Sequence, residues 1–158
     1  MRPSGRKDYD NTDSRNFENK NLAHNAHSVG VSEHHFQWCT KYRYGALEKG
    51  SHYKDCDEAV RTVAERHGIR VVELGIMPDH VHIVALLPPD MSPSKAIGLL
   101  KGGSSYILFH LHPNFRKTYR RGHFWSRGYF YRSVSDVNEE KVRRYVREDN
   151  SPHQLTLT

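Results

Sequence analysis

Polar positions dominate residues 1–27, where Asn and Asp are frequent and apolar side chains are almost absent. Such a segment cannot offset its own ordering entropy, so a flexible polar tail is expected there. Apolar and polar positions then roughly alternate over residues 28–44, with Val29, Val31, Phe36 and Trp38 on the apolar beat. This is the period of a first strand, interrupted by "SEHH". In "SHYKDCDEAVRTVAERHG" the period changes: Val60, Val63, Ala64 and His67 recur at helical spacing and Gly68 stands where a C-cap belongs. "IRVVELGIM" and "HVHIVALL" read as two strands joined by the turn "PD". "SPSKAIGLLKGGSSYILFHLH" opens with a Ser N-cap and a first-turn Pro, and Ile97, Leu100, Ile107, Leu108 and Leu111 form its stripe. The pair Gly102-Gly103 should weaken that helix by about 1 kcal/mol per glycine. "GYFYRSV" is a strand by composition, and "DVNEEKVRRYVRED" is a helix with Asp136 and Glu139 in capping-box spacing.

The resulting order is β-α-β-β-α-β followed by one more helix. It predicts an α+β fold of the ferredoxin-like split β-α-β type: a four-stranded antiparallel sheet, helices on one face, and an added C-terminal helix. The domain is expected over residues 28–150, with 151–158 as a short C-terminal tail. That architecture hosts many activities, so function must come from particular residues.

Composition narrows the classes. No apolar run approaches the roughly 20 residues that span a bilayer, and the N-terminus lacks the apolar core of a secretory signal. A cytoplasmic protein with no membrane contact is expected. Two cysteines without CxxC spacing, Cys39 and Cys56, argue for reduced thiols rather than a disulfide scaffold or zinc cluster. The chain carries a net charge of +6. Its basic character is concentrated between Phe115 and Arg147, where ten Lys/Arg face only three acids. A one-sided basic segment attracts polyanions, nucleic acid above all.

His80 and His82 stand two apart in a strand, so both side chains point to the same face. Two readings are open: ordinary polar residues on the open face of a one-sided sheet, or ligands sharing one divalent cation. A cation site also needs a third donor, usually oxygen. On the last helix Val142, Tyr145, Val146 and Asp149 fall on one stripe. The valines explain themselves as core, whereas an aspartate there needs a cation or water. A cation with open positions polarises a phosphate, and an adjacent tyrosine can attack phosphorus in line, leaving a phosphotyrosine link and a free 3′-hydroxyl. A phenol ordinarily titrates near 10, so the attack needs help from the cation or from nearby Lys and Arg.

At these residues the chain resembles a known family. "MPDHVHIVALLPP" resembles the two-histidine (HUH) motif of the single-strand DNA transposases that use one tyrosine, the TnpA class of small bacterial and archaeal insertion sequences. "WCTKYRY" resembles that family's first-strand exit, "LLKGGSS" its LKG-x-S/T-S helix, "FWSRGYFYRSV" its W-x-x-GYF strand and "VRRYVRED" its Y-I-x-x-Q helix. The motifs come in the family's order, over residues 28–150.

The resemblance implies His80 and His82 as metal ligands, Tyr145 as nucleophile and Mg²⁺ or Mn²⁺ as cofactor. The family's third ligand is typically a glutamine four residues after the tyrosine; here that position is Asp149. The resemblance further implies a prokaryotic homodimer, nucleoid-associated when bound to DNA, that joins the histidines of one subunit to the tyrosine helix of the other. Its substrate would be single-stranded DNA with hairpins near the element's ends. Lys41, Arg43, Lys95, Lys101, Arg116, Lys117, Arg120, Arg121 and Arg127 are candidate DNA contacts, with Tyr42, Tyr44, Phe124 and Trp125 as candidate stacking partners for bases. Ser104 and Ser105 are either phosphate donors or small residues at a helix crossing. Two other readings stay open. One is a non-catalytic hairpin-DNA-binding protein of the same fold, favoured by the change to Asp149. The other is an RNA-binding ferredoxin-like module, which has no use for Asp149.

Overall fold

A computed structural model describes residues 32–134 and 139–149, together with the backbone of 23–24 and 29–30; the side chains of Glu139 and Asp149 lie outside this description. The expected N-cap Asp136 also lies outside it, as do residues 151–158 and nearly all of 1–27. In the segment read as tail, β1 (Ala23–His24) forms and pairs antiparallel with β2 (Val29–Gly30), which lies in the segment read as the first strand.

The main sheet contains β3 (Glu33–Cys39), β4 (Arg70–Ile76), β5 (His80–Leu86) and β6 (Phe130–Ser133). Its order is β4-β5-β3-β6, with every neighbouring pair antiparallel. The α+β expectation holds. The first strand is shorter than expected, beginning at Glu33 and giving way at Lys41–Arg43 to one 3₁₀ turn.

Helices α1 (Gly50–Arg66) and α2 (Pro93–Leu111) cover one face. Ser92 caps α2 as expected, its hydroxyl accepting from the Lys95 N–H at 3.1 Å. Phe36, Trp38, Val81, Ile83 and Ala85 point from the sheet into a core shared with Val60, Val63, Ile97, Leu100 and Leu108. The Gly102-Gly103 pair has a use that periodicity alone does not reveal. A Cβ on Gly103 would stand 2.6 Å from the Val63 side chain, so α1 and α2 approach each other there, while Gly102 faces open space. At the start of the basic segment lies a four-residue helix, α3 (Phe115–Thr118), anchored by buried Phe115.

The last helix, α4 (Glu139–Asp149), packs on the opposite face. Val142 and Val146 are buried against Val84 and Val134 in a second, smaller core. Residues of β5 therefore alternate between the two cores: Val81, Ile83 and Ala85 face α1 and α2, while His80, His82 and Val84 share the α4 side. Two ion pairs add to the docking, Arg143 to buried Glu33 at 3.6 Å and Arg147 to Glu73 at 2.7 Å.

Candidate active site

The hairpin between β4 and β5 turns through Pro78 and Asp79, closed by Met77 N–H donating to the His80 carbonyl at 2.8 Å. It presents His80 and His82 on one face, as the i, i+2 spacing requires. Their Nε2 atoms are 3.0 Å apart. Ligand nitrogens about 2.1 Å from an octahedral ion and at right angles stand about 3.0 Å apart. Two neutral imidazoles that both aim lone pairs at this separation repel unless a proton or a cation lies between them. The pair therefore fits two adjacent positions of one divalent ion. Among the described residues no group of three or more His, Cys, Asp or Glu is arranged to hold a metal. The expected third donor, the Asp149 carboxylate, lies outside the described side chains.

Each histidine ring is held from behind. The His80 Nδ1–H donates to the Asp79 carboxylate at 2.6 Å, and Arg43 Nε donates to the other Asp79 oxygen at 3.2 Å. Burial alone would raise the Asp79 carboxyl, but the hydrogen bonds and charges of His80 and Arg43 outweigh it and hold the carboxyl below its ordinary value. His82 is 1 % exposed, and its Nδ1 faces His35 Nε2 at 3.4 Å. His35 comes from β3, where Gln37 is the residue directly across from His82. Burial pushes the His35 imidazole down to about 4, with repulsion from His82 and Arg132 in the same direction.

Tyr145 sits at the rim of this group. Its ring meets His82 edge-on, with centroids 5.5 Å apart at 88°, and lies 6.5 Å from the His35 ring. It is 53 % exposed, whereas Val142 and Val146 on the same helix are buried. The stripe read from the sequence thus divides into core and site. The resemblance implies the tyrosine of a second subunit beside the histidines; within one chain, Tyr145 lies against the chain's own His82. The reason is the second core, which docks α4 over β4 and β5 of the same chain.

The basic residues divide into several groups. Lys41, Arg120 and Arg121 line one cavity of about 250 Å³ together with Tyr42, Tyr44 and His123. Arg116 lies over the Phe109 ring at 4.9 Å, and Lys117 and Arg127 are exposed. Lys95 lines a separate cavity with His67, Pro88 and Asp90, beyond the far end of β5. Arg43 is engaged by Asp79. Lys101 serves the fold instead, its ammonium donating to the carbonyls of Ser126, Arg127 and Gly128 at 2.5, 3.1 and 3.3 Å. It holds the segment that leads into β6. Trp125, 6 % exposed, and Phe124, fully buried, are core residues rather than stacking platforms. Ser104 is likewise buried and accepts from Trp125 Nε1 at 3.0 Å, which settles it as a packing residue.

Tyr42 and Arg43 both have positive φ, 60° and 53°. Bulky residues in that region cost roughly 1–3 kcal/mol each. The turn is held by buried Thr40, whose hydroxyl donates to the Tyr44 carbonyl at 2.6 Å, and by Lys41 N–H donating to the Phe124 carbonyl at 2.8 Å. This strained turn brings Arg43 back to Asp79 and leaves Tyr42 and Tyr44 exposed. Sequence reasoning missed His35, Gln37 and Asp79 as site residues. Strand parity put His35 and Gln37 opposite to Phe36 and Trp38, but nothing local gave the register that sets them beside His82.

The fold, a four-stranded antiparallel sheet with helices on both faces, is that of solved transposase structures, and here it carries a histidine pair met by a helix-borne tyrosine. A crystal structure of a Deinococcus radiodurans R1 protein described as a transposase superposes with a TM-score of 0.65 at 25% identity, over 80% of this chain and 96% of that one. A REP-associated tyrosine transposase bound to a REP hairpin shares the fold at a TM-score of 0.56 and 14% identity, over 77% of this chain and 67% of that one. The chain belongs to the IS200-like transposase family, whose pattern matches residues 28–149. It is 31% identical over 136 residues to the transposase for insertion sequence element IS200 of Salmonella typhimurium, covering 84% of this chain and 88% of the relative. It is 28% identical over 114 residues to the ISDra2 transposase TnpA of Deinococcus radiodurans, covering 72% and 81%.

Proposed function

We propose that this transposase cuts and rejoins single-stranded DNA at insertion-sequence ends through a 5′-phosphotyrosine link, with Tyr145 as nucleophile and His80 and His82 holding Mg²⁺ or Mn²⁺. The observation that carries the reading is the convergence of two imidazole Nε2 atoms and one tyrosine within a few ångströms. In the cut, the Tyr145 oxygen forms a bond to phosphorus, the bond from phosphorus to the 3′-oxygen breaks, and that oxygen leaves as a 3′-hydroxyl. The phenolic proton passes to solvent as the new bond forms, and the departing 3′-oxygen takes a proton from solvent. Rejoining is the reverse attack by another 3′-hydroxyl, so no nucleotide is consumed. The bound cation supplies Lewis acidity at the phosphate. The protein's part is to hold both rings by their Nδ1 sides and to dock α4 so that Tyr145 stands at the same edge. Asp149 is the proposed third ligand.

The exposed basic and aromatic residues support a polyanionic partner. Lys41, Arg120 and Arg121 around Tyr42 and Tyr44 suit a phosphate chain with unpaired bases, and the hairpin bound by the REP-associated neighbour makes hairpin DNA the first substrate to test. A homodimer is part of the proposal. β6 is an edge strand, and Phe130 and Tyr131 on it are each 51 % exposed, a surface suited to a second copy. The site of action is the bacterial cytoplasm, where the DNA is. Among the described residues no helix is long and apolar enough to cross a membrane.

The test incubates the protein with labelled hairpin-bearing single-stranded DNA and Mg²⁺. A covalent adduct that Tyr145→Phe abolishes is expected. Binding without an adduct defeats the catalytic reading and leaves a hairpin-binding protein, and preference for RNA competitors points to the RNA-binding module instead. Mixing His82→Ala with Tyr145→Phe protein then distinguishes the two subunit arrangements. Sites built across subunits regain activity in the mixed dimer, whereas sites built within one chain stay inactive.

A further inference from the structure

Both candidate ligand rings are gripped through Nδ1, and the two grips differ. Behind His80 stands a carboxylate, Asp79, itself fixed by Arg43. Behind His82 stands a third imidazole, His35, which is 3 % exposed. A histidine coordinates a cation through Nε2 only in the tautomer that carries its proton on Nδ1, and the group that accepts this proton sets both tautomer and ring angle. Asp79 is such an acceptor without ambiguity. His35 is one when its own proton sits on Nδ1, leaving the Nε2 lone pair toward His82.

Two further observations single out His35. Its Nδ1 is buried with no hydrogen-bond partner among the described residues. A buried imidazole with an unpaired nitrogen costs roughly 1–3 kcal/mol, and an apolar residue in that place avoids the cost. His82 is thus the ring's one hydrogen-bond partner among the described side chains. Nor is His35 placed to be a ligand itself. It faces the Nδ1 side of His82, whereas His80 faces the Nε2 side.

We propose that His35 and Asp79 are positioning residues of the cation site: His35 accepts the His82 Nδ1–H, Asp79 accepts the His80 Nδ1–H, and together they leave the two Nε2 lone pairs aimed at one shared ion. Arg43, carried on the strained Tyr42-Arg43 turn, fixes Asp79 in turn. This rests on the reading of His80 and His82 as ligands and adds what sets their geometry. The adjacent β3 strand takes part in the site through His35, although it supplies no ligand.

The experiment measures Mn²⁺ affinity by isothermal titration calorimetry, and hairpin-DNA affinity by fluorescence anisotropy without metal. His35→Leu should weaken Mn²⁺ binding by about tenfold or more while hairpin affinity stays unchanged. His35→Gln, whose side-chain oxygen reaches the Nε2 position and accepts a hydrogen bond, should stay within about threefold of the parent protein. Asp79→Ala should lose affinity to a similar extent as His35→Leu, and Asp79→Asn, which keeps an acceptor, should lose less. Parent-level Mn²⁺ binding in His35→Leu overturns the proposal, as does equal weakening by Leu and Gln, which marks a packing role. If His35→Leu does not fold, the Asp79 pair decides by the same comparison. Mn²⁺ binding that survives His82→Ala sinks the ligand assignment itself and is recognisably a different failure.

Discussion

Truncating Val146 to alanine tests how the helix that carries Tyr145 is held. Val146 is fully buried in the small core that also contains Val84, Val134 and Val142. The change deletes two methyl groups at about 0.8 kcal/mol each by transfer and leaves a small cavity, so a loss of about 2 kcal/mol is reasonable. Only Val142 and Val146 anchor α4 in that core, and each buried valine contributes roughly 1.5–3 kcal/mol. Beyond the valines, α4 is tied by Arg143 to buried Glu33 and by Arg147 to Glu73; the Arg147 side chain is 59% exposed, and exposed pairs contribute at most about 1 kcal/mol. The loss therefore falls on local docking. Undocking of α4 should become about 30-fold more frequent, taking 1.4 kcal/mol per factor of ten. Native-state hydrogen exchange reads this directly: amides of α4 should exchange about 30-fold faster, while those of β3 and β5 keep their protection. Adduct formation by Tyr145 should fall with the docked fraction if the site works within one chain. The reasoning fails if β3 and β5 lose protection in step with α4, because helix and sheet then open as one unit. It fails equally if α4 exchange changes by less than about threefold.

Other measurements probe the remaining links. Gly103→Ala should destabilise the domain by about 1–3 kcal/mol, because its Cβ would press 2.6 Å from Val63, while Gly102→Ala should add roughly 0.5–1 kcal/mol; paired urea melts compare them. The His35 imidazole titrates near 4 in the fold against 6.5 when unfolded, so between those values the unfolded chain binds the extra proton. Metal-free protein should therefore lose stability as pH falls from about 6.5 towards 4, and His35→Leu should flatten that part of the curve. Arg121→Ala should lower hairpin affinity and reduce the log–log salt slope by about one, as expected for one phosphate contact. Lys101→Ala should lower the melting temperature and leave that slope unchanged, since Lys101 serves three carbonyls.

The strands and helices were legible because their signals are local. Alternation gives a strand's period, so His80 and His82 had to share a face before any partner strand was known. Helical spacing put Val142, Tyr145 and Val146 on one stripe, and the Ser92 hydroxyl with Pro93 marked where α2 begins. The concentration of positive charge was also plain, though not its use. Lys101, Arg43 and Arg121 look alike in a sequence. One is spent on backbone carbonyls, one on Asp79, and one is left exposed at a cavity.

Tertiary structure alone decided the rest, because those features depend on pairings between distant segments. Whether His35 meets His82 rests on the β3–β5 register, which a one-residue slip reverses for every side chain. That α4 covers the face opposite α1 and α2, and so brings Tyr145 to the histidines of its own chain, depends on four valines from three parts of the chain forming a second core. Gly103 looked like a weakness by propensity and is a necessity by packing, since only the approach of α1 gives its missing side chain a purpose. The sequence by itself determined which candidate residues share a face of their element, as His80 with His82 and Tyr145 with Val142 and Val146. The geometry between them is a property of contacts across the chain, and no local period encodes it.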